Sequence, residues 1–251
     1  MKVEQLERYS RQISLAQFGE DGQQKLFSGK VLVIGAGGLG SPAAFYLAAA
    51  GVGQIGIVDS DAVDLSNLQR QILHATKDLN RLKVESARET LTALNPDVKI
   101  FAYHERVTAD NSADLMRDYD FVLDCTDNFD AKFLINDACI SSRKIFTHAG
   151  ILHYGGQLMT CRPFETACYR CVFDEPPPAQ TFARREGVFN VAPGVIGALQ
   201  AAEALKYFLG VGELLTNCLL TYDALTAQFR RIKISRNKFC RACGGEKHAE
   251  S

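Results

Sequence analysis

Apolar and polar positions along the first 150 residues fall into short apolar runs separated by stretches of helical period. Val31 to Ile34 is a run of β-branched and aliphatic residues, and an apolar, Ala-rich segment of helical character follows it at once. A second run, Ile55 to Val58, ends in Asp59. Val84, Ala87, Leu91 and Leu94 then recur at steps of 3, 4 and 3 on one helical face that Lys83 opens, and Asn95-Pro96 stops it. Residues 97–104 alternate as a strand, and DFVLD (120–124) is a continuous apolar strand of the kind buried on both faces of a parallel sheet. A helix over 133–141 and a strand over 144–147 complete the half, with one or two short helices expected over 3–27. Strands alternating with helices in this way predict a doubly wound, mainly parallel open sheet, whose ligands lie beyond the carboxyl ends of the strands.

Beyond residue 150 the pattern changes. A strand near 157–161 is no longer followed by a helix, so the sheet is expected to continue with antiparallel pieces. Residues 173–187 carry three consecutive prolines and little periodicity, which predicts a mobile crossover loop. GVIGALQAAEALKYFLG (194–210) is apolar nearly all round and reads as a buried helix. Strands over 218–222 and 228–234 precede a polar tail. No repeat and no independent second domain are evident, so residues 1–251 are read as one domain: a nucleotide-binding half (1–150) and a second half (151–251).

Between the first strand and its helix stand Gly35, Gly37 and Gly40, in the order G-x-G-x-x-G. Glycines let the backbone turn sharply and approach a phosphate, and a helix starting near Gly38 aims its free N–H groups at the anion. Asp59, nineteen residues after Gly40, is placed to accept bonds from ribose hydroxyls. The unit therefore predicts a Rossmann-like pocket for a dinucleotide or for ATP, the alternative being a tight packing turn without a ligand. SNLQRQ (Ser66, Asn67, Leu68, Gln69, Arg70, Gln71), Lys83, and Asp127-Asn128 all fall beyond strand ends on the same edge. Arg, Lys and Asp gathered there suit a triphosphate with Mg²⁺: two cations for the phosphate oxygens and a carboxylate for the hard metal. Taken singly, Arg70 and Lys83 read as solvated charges and Asp127 as a helix cap.

Composition narrows the partners. The 251 residues are 47% apolar and 23% charged, with a formal net charge of −1, which gives no reason to expect nucleic acid or an anionic membrane. No apolar run approaches the roughly 18 residues of a membrane span, and the chain reads as soluble and cytoplasmic. In that setting the eight cysteines are expected as ligands, catalytic groups or small core residues. Cys168-Tyr-Arg-Cys171 and Cys240-Arg-Ala-Cys243 form two C-x-x-C pairs, enough for a closed tetrahedral Zn²⁺ site. A redox pair is the rival for either alone, although neither is expected in a strand-to-helix turn that would favour its thiolate. Cys125, Cys139, Cys161 and Cys218 lie in apolar patterns and are expected in the core.

Several of these stretches together, RYSRQ (8–12), GAGGLGSPAA (35–44), LSNLQRQ (65–71), RLKVESA (from 81), DCTDN (124–128), CYRC and CRACGG, resemble the ThiF/MoeB family of ubiquitin-activating-type adenylyltransferases, in order and over nearly the whole chain. DGQQKL (21–26) and GGQLM (155–159) are more similar to the ThiF branch, which serves thiamine thiazole synthesis, than to MoeB, which serves molybdopterin. The resemblance implies that ATP and Mg²⁺ adenylylate the C-terminal glycine carboxylate of a ubiquitin-like sulfur carrier, ThiS-like or MoaD-like. It assigns Gly38 and the turn to the phosphates, Asp59 to ribose, Arg70 and Lys83 to the triphosphate, Asp127 to Mg²⁺ and Asn67 to a supporting contact. By the same pattern Arg11 reaches the nucleotide of a partner subunit, which implies a homodimer; otherwise it is an exposed helix arginine. The sequence departs from the pattern at one place. Ala183 stands where ThiF-like proteins carry a crossover-loop cysteine, which implies that chemistry stops at the adenylate and that a separate protein donates sulfur. An NAD-dependent oxidoreductase shares the glycine turn and Asp59, and a non-catalytic binding module would share the fold.

Overall fold

The computed structural model describes residues 1–176 and 187–245. Eight strands form one sheet in the order β3-β2-β1-β4-β5-β6-β7-β8. β1 (Lys30–Ile34), β2 (Gln54–Val58), β3 (Lys99–Tyr103), β4 (Phe121–Asp124) and the first half of β5 (Ile145–Leu152) pair in parallel. From β5 onward, β6 (Gly155–Cys161), β7 (Cys218–Asp223) and β8 (Gln228–Lys233) add antiparallel strands. The mainly parallel sheet with an antiparallel continuation is the architecture the apolar pattern predicts. Its order reverses between β1 and β4, which places a crevice beyond their carboxyl ends.

Two helical layers cover the sheet. On one face Val31, Val33, Ile55 and Ile57 pack against α3 (Gly40–Ala50), α4 (Lys83–Leu94) and the long α8 (Val191–Leu209). On the other, Leu32, Ile34 and Val122 meet α5 (Ser112–Met116), α6 (Phe129–Ser141) and three of the paired cysteines. α8 is buried or half-buried along its length except at Val191, as its all-round apolarity implies. Two N-terminal helices, α1 (Val3–Ile13) and α2 (Gly19–Ser28), lie at the amino ends of the strands. There the Tyr9 ring fills the space beside Gly51, a left-handed C-cap with φ 81°, and its hydroxyl accepts a bond from Asn95 Nδ2 at 2.8 Å.

Several boundaries differ from the sequence pattern, and three of them have a local cause. α3 starts at Gly40, two residues later than expected, because Gly38 and Leu39 are still within the turn. α6 starts at Phe129, four residues early, because Asn128 Oδ1 accepts the Ala131 N–H at 2.8 Å and caps it. β5 runs to Leu152 because its second half pairs with β6 in an antiparallel hairpin. The sequence pattern does not announce two short α-helical pieces, α5 and a single turn, α7 (Tyr169–Val172), within the first cysteine pair, nor the 3₁₀ turns Leu65–Asn67 and Thr76–Asp78. Most of the proline-rich crossover stretch, including Ala183, lies outside the described residues. Among the described residues no helix is long and apolar enough to cross a membrane.

Candidate nucleotide site and four-cysteine centre

The glycine turn is built by close approaches that only a missing Cβ permits. Gly35 has φ 103°, its N–H donates to the Val58 carbonyl at 2.8 Å, and a Cβ there would lie 2.8 Å from the Cys125 carbonyl oxygen. A Cβ on Gly40 would stand 1.9 Å from the Gly35 carbonyl oxygen. Gly38 packs against Pro193 of α8 and the Arg70 stem, whereas a Cβ on Gly37 would meet nothing nearer than Gln71 Nε2 at 3.6 Å. Gly35 and Gly40 therefore close the turn, and Gly37 keeps its surface open.

Asp59 is tied into the same turn. Its Oδ2 accepts the Ala36 N–H at 2.8 Å and its Oδ1 the Asp61 N–H at 2.8 Å. Two oxygens carry about four acceptor sites, so capacity for sugar hydroxyls remains. The Ala36 carbonyl accepts a bond from His74 Nε2 at 3.0 Å, and His74 Nδ1 lies 2.9 Å from Ser86 Oγ. His74 thus links the turn to α4, the helix that carries Lys83. Burial pushes the His74 pKa below the usual histidine range, only partly opposed by its bond to Ala36.

The cationic residues gather on this edge. Leu65–Asn67 forms a 3₁₀ turn capped by Asp64, whose Oδ1 accepts the Ser66 N–H at 2.8 Å. The turn brings Arg70 back beside Gly38, with its Nη1 donating to the Ser66 carbonyl at 3.2 Å. Asn67 Nδ2 contacts Ser66 Oγ at 3.1 Å, and Gln69 is exposed while Leu68 is half-buried. Lys83 is buried, with its Nζ 3.0 Å from Asp61 Oδ2, so it is a held charge rather than a solvated one. Asp127 is exposed just past β4. The cap of α6 is Asn128, not Asp127, which removes the simplest structural account of the Asp127 carboxylate.

Arg11 is not with them. It is exposed on the last turn of α1, whose neighbours Tyr9 and Gln12 contact Gly51 and the Ala50 carbonyl at the far end of α3. An 11-residue helix spans about 16 Å, so α3 separates Arg11 from the glycine turn of its own chain.

Four residues of this region receive no role from the sequence, although Gln71 and Asp124 lie within the SNLQRQ and DCTDN stretches. Gln71 is buried beside Gly37, and its Oε1 has no partner among the described residues. Asp124, Lys132 and His148 form a buried polar cluster at the end of β4. Asp124 reads in sequence as the polar end of an apolar strand, Lys132 as a surface lysine and His148 as an isolated histidine. Only packing brings them together.

On the opposite face, Cys168, Cys171, Cys240 and Cys243 converge, with all four sulfurs within 4.8 Å of one another. Contacts of 3.8 Å (168–171), 3.7 Å (168–240) and 3.4 Å (171–243) compare with the edge of about 3.8 Å expected for thiolates ~2.3 Å from a tetrahedral ion. Cys171 Sγ accepts bonds from its neighbouring thiols and from the Asn237 N–H at 3.3 Å, and these push it well toward the thiolate. No disulfide joins any of the eight cysteines. α8, β7 and β8 supply the return path to the second pair. Cys168 does precede a helical turn, contrary to the sequence expectation, but α7 is only four residues long and its first thiol faces three others. Cys125, Cys139, Cys161 and Cys218 are buried, as expected.

A Rossmann-type sheet with its glycine turn at the switch point, flanked by held cations and backed by a four-thiol centre, defines a nucleotide-binding α/β protein with a potential metal site. The chain belongs to the ThiF family, whose model matches residues 9–242. It is 45% identical over 250 residues to a sulfur carrier protein adenylyltransferase of Thermus thermophilus, covering 97% of this chain and 92% of that protein. It is 44% identical over 247 residues to the adenylyltransferase and sulfurtransferase MOCS3 of Sus scrofa, covering 97% of this chain but 54% of the relative. The chain thus spans about half the length of the MOCS3 proteins it matches. Among solved structures, E. coli MccB with ATP superposes with a TM-score of 0.82 at 23% identity, over 94% of this chain and 73% of that one. That likeness bears on the fold.

Proposed function

We propose that this protein adenylylates the C-terminal glycine carboxylate of a ubiquitin-like sulfur carrier. The observation that carries the reading is the juxtaposition at one sheet edge of an open Gly37, a turn-bound Asp59, Arg70 packed on Gly38, and a buried Lys83. Its support from outside the chain is the 45% identical relative, named for this activity.

The chemistry follows from the groups present. A C-terminal carboxylate is ionised near neutral pH, so its oxygen attacks the α-phosphorus of ATP without a general base. The bond from the α-phosphorus to the bridging oxygen breaks, and pyrophosphate leaves with the electron pair. Catalysis then rests on alignment and on neutralising charge that moves to the leaving group. Arg70 and Lys83 are the cations for that charge, Asp127 the carboxylate for Mg²⁺, and Asp59 the ribose acceptor. Gly35, Gly37, Gly38 and Gly40 form the phosphate turn, and Ser66, Asn67, Leu68, Gln69 and Asn128 border it. Mg²⁺ supplies charge neutralisation across the triphosphate when bound. The four cysteines suit a structural Zn²⁺, since a closed thiolate set leaves no open position for water.

Arg11 is proposed to complete the site of a second subunit, because it stands one helix length from its own turn and is exposed. Arg11→Ala is expected to lower ATP–pyrophosphate exchange sharply with the dimer intact. Mixing it with Asp127→Asn should restore activity that neither variant has alone. Normal exchange by Arg11→Ala removes the role.

The substrate is proposed to be a ThiS-type carrier of thiamine thiazole synthesis, on DGQQKL and GGQLM. Four of the eight cysteines are committed to one centre and the other four are buried, which supports chemistry that ends at the adenylate, with sulfur from a separate donor. Pyrophosphate exchange with each carrier in turn tests class and substrate together. Exchange with a MoaD-type carrier alone would reassign the substrate, and exchange with neither would overturn the reading.

A further inference from the structure

The loop that carries Asp127 is anchored on a buried acid. Asp124, fully buried at the end of β4, accepts at Oδ1 both the Thr126 N–H (3.0 Å) and the Thr126 hydroxyl (2.6 Å). Its Oδ2 accepts His148 Nδ1–H at 2.5 Å and lies 3.3 Å from Lys132 Nζ, which also donates to the Ala149 carbonyl at 2.5 Å. Gln200 of α8 donates to the Asp124 carbonyl at 2.9 Å and to Thr147 Oγ1 at 3.1 Å. Burial alone would favour a neutral Asp124, but Lys132 and the His148 bond outweigh it and keep the carboxylate ionised. α6, β5 and α8 thus each hold the strand end from which the Asp127 loop departs.

His148 is the member whose presence needs explaining. It is buried against Phe146 and Tyr169, with ring centroids 5.1 and 4.5 Å away, and its Nε2 has no partner among the described residues. A buried, half-satisfied imidazole costs stability relative to an apolar side chain of similar size. What it supplies in return is a second donor to Asp124 Oδ2, which leaves Oδ1 free to be spent on Thr126. Carboxylates that bind cations through a loop are oriented by such outer partners.

We propose that His148, acting through Asp124 and Thr126, is a positioning residue for the Asp127 carboxylate and hence for the cation that it holds. The inference rests on the function proposed above, and names the part of the fold that orients its metal ligand.

The test is equilibrium ATP binding by the full chain across a Mg²⁺ titration, with zinc content and melting temperature recorded for each variant. His148→Leu removes the donor at similar volume, and Thr126→Val removes the shorter, hydroxyl bond of the Thr126–Asp124 link from the half-exposed loop side, leaving the N–H bond. Each is expected to raise the Mg²⁺ concentration for half-maximal ATP binding by about tenfold, with binding in the absence of Mg²⁺ unchanged. His148→Asn, whose side-chain N–H replaces Nδ1–H, is expected to stay near the native value. Should His148→Leu fail to fold, Thr126→Val alone decides. Native Mg²⁺ dependence in the folded variants overturns the inference, as does an equal loss of ATP binding with and without Mg²⁺, which would signify packing only. Asp127→Asn in the same assay separates the two layers. If Asp127→Asn leaves the Mg²⁺ dependence native, the cation assignment itself has failed.

Discussion

Gly37 and Gly40 look interchangeable in a G-x-G-x-x-G motif, yet their surroundings assign them different work. A methyl group on Gly40 would enter the Gly35 carbonyl oxygen at 1.9 Å, a clash that only movement of the turn relieves. Gly40→Ala is therefore expected to lower both the melting temperature and nucleotide binding. At Gly37 the nearest atom is 3.6 Å away and the backbone is not left-handed. Gly37→Ala should leave stability level or raise it by up to about 1 kcal/mol, while ATP binding falls because a methyl group now occupies the approach to the phosphates. Thermal melts beside ATP titrations check the pair, and loss of stability in Gly37→Ala would contradict the assignment. Lys83 carries a similar lesson. Its position at the head of a helix reads equally as a solvated lysine, and only its burial with Asp61 marks it as a held charge.

Elements were legible in the sequence wherever one physical period ran unbroken. Val84, Ala87 and Leu91 define α4 because they form one buried face, and Leu94 continues the period onto the exposed last residue of the helix. α6 was read four residues short because its first turn, FDAKF, buries a lysine, and a buried Lys132 breaks the apolar pattern while satisfying its charge internally. β5 was read short because its outer half owes its strand form to pairing with β6, which no local propensity announces. The link from the glycine turn through His74 to α4 was invisible for the same reason. That link predicts a pH dependence. The unfolded chain takes up a proton on histidine near pH 6.5, whereas burial lowers the pKa of both His74 and His148 in the native fold. Below about pH 6.5 the unfolded state therefore binds more protons, and stability falls as pH falls. Asp124, held below the usual carboxylate range, stays ionised through this window and does not counter the trend. Urea midpoints are expected to be lower at pH 5.5 than at pH 7.5, and His74→Gln should narrow the difference. A midpoint that rises on acidification would contradict the buried-neutral account of both rings.

At the scale of the molecule, the antiparallel extension returns the chain to the first cysteine pair and so assembles the four-thiol centre from residues far apart in sequence. Spacing alone left that site open to a redox alternative, and the mutual approach of all four sulfurs favours a metal. Chelation is expected to release one Zn²⁺ per chain and to increase proteolysis near residues 234–245, with the glycine-turn half still folded. Metal-free protein containing two disulfides would contradict the zinc assignment. At the same scale, Arg11, which the family resemblance assigns to the nucleotide of a partner subunit, is held by α3 away from the glycine turn of its own chain. The central claim is that this edge of the sheet transfers AMP to a carrier carboxylate. Its most direct measurement is the intact mass of a ThiS-type carrier after incubation with the protein, ATP and Mg²⁺. The prediction is one AMP at the C-terminal glycine, released by hydroxylamine, with no carrier–enzyme conjugate that a reductant cleaves. An unmodified carrier beside fully folded, nucleotide-bound protein would contradict the account.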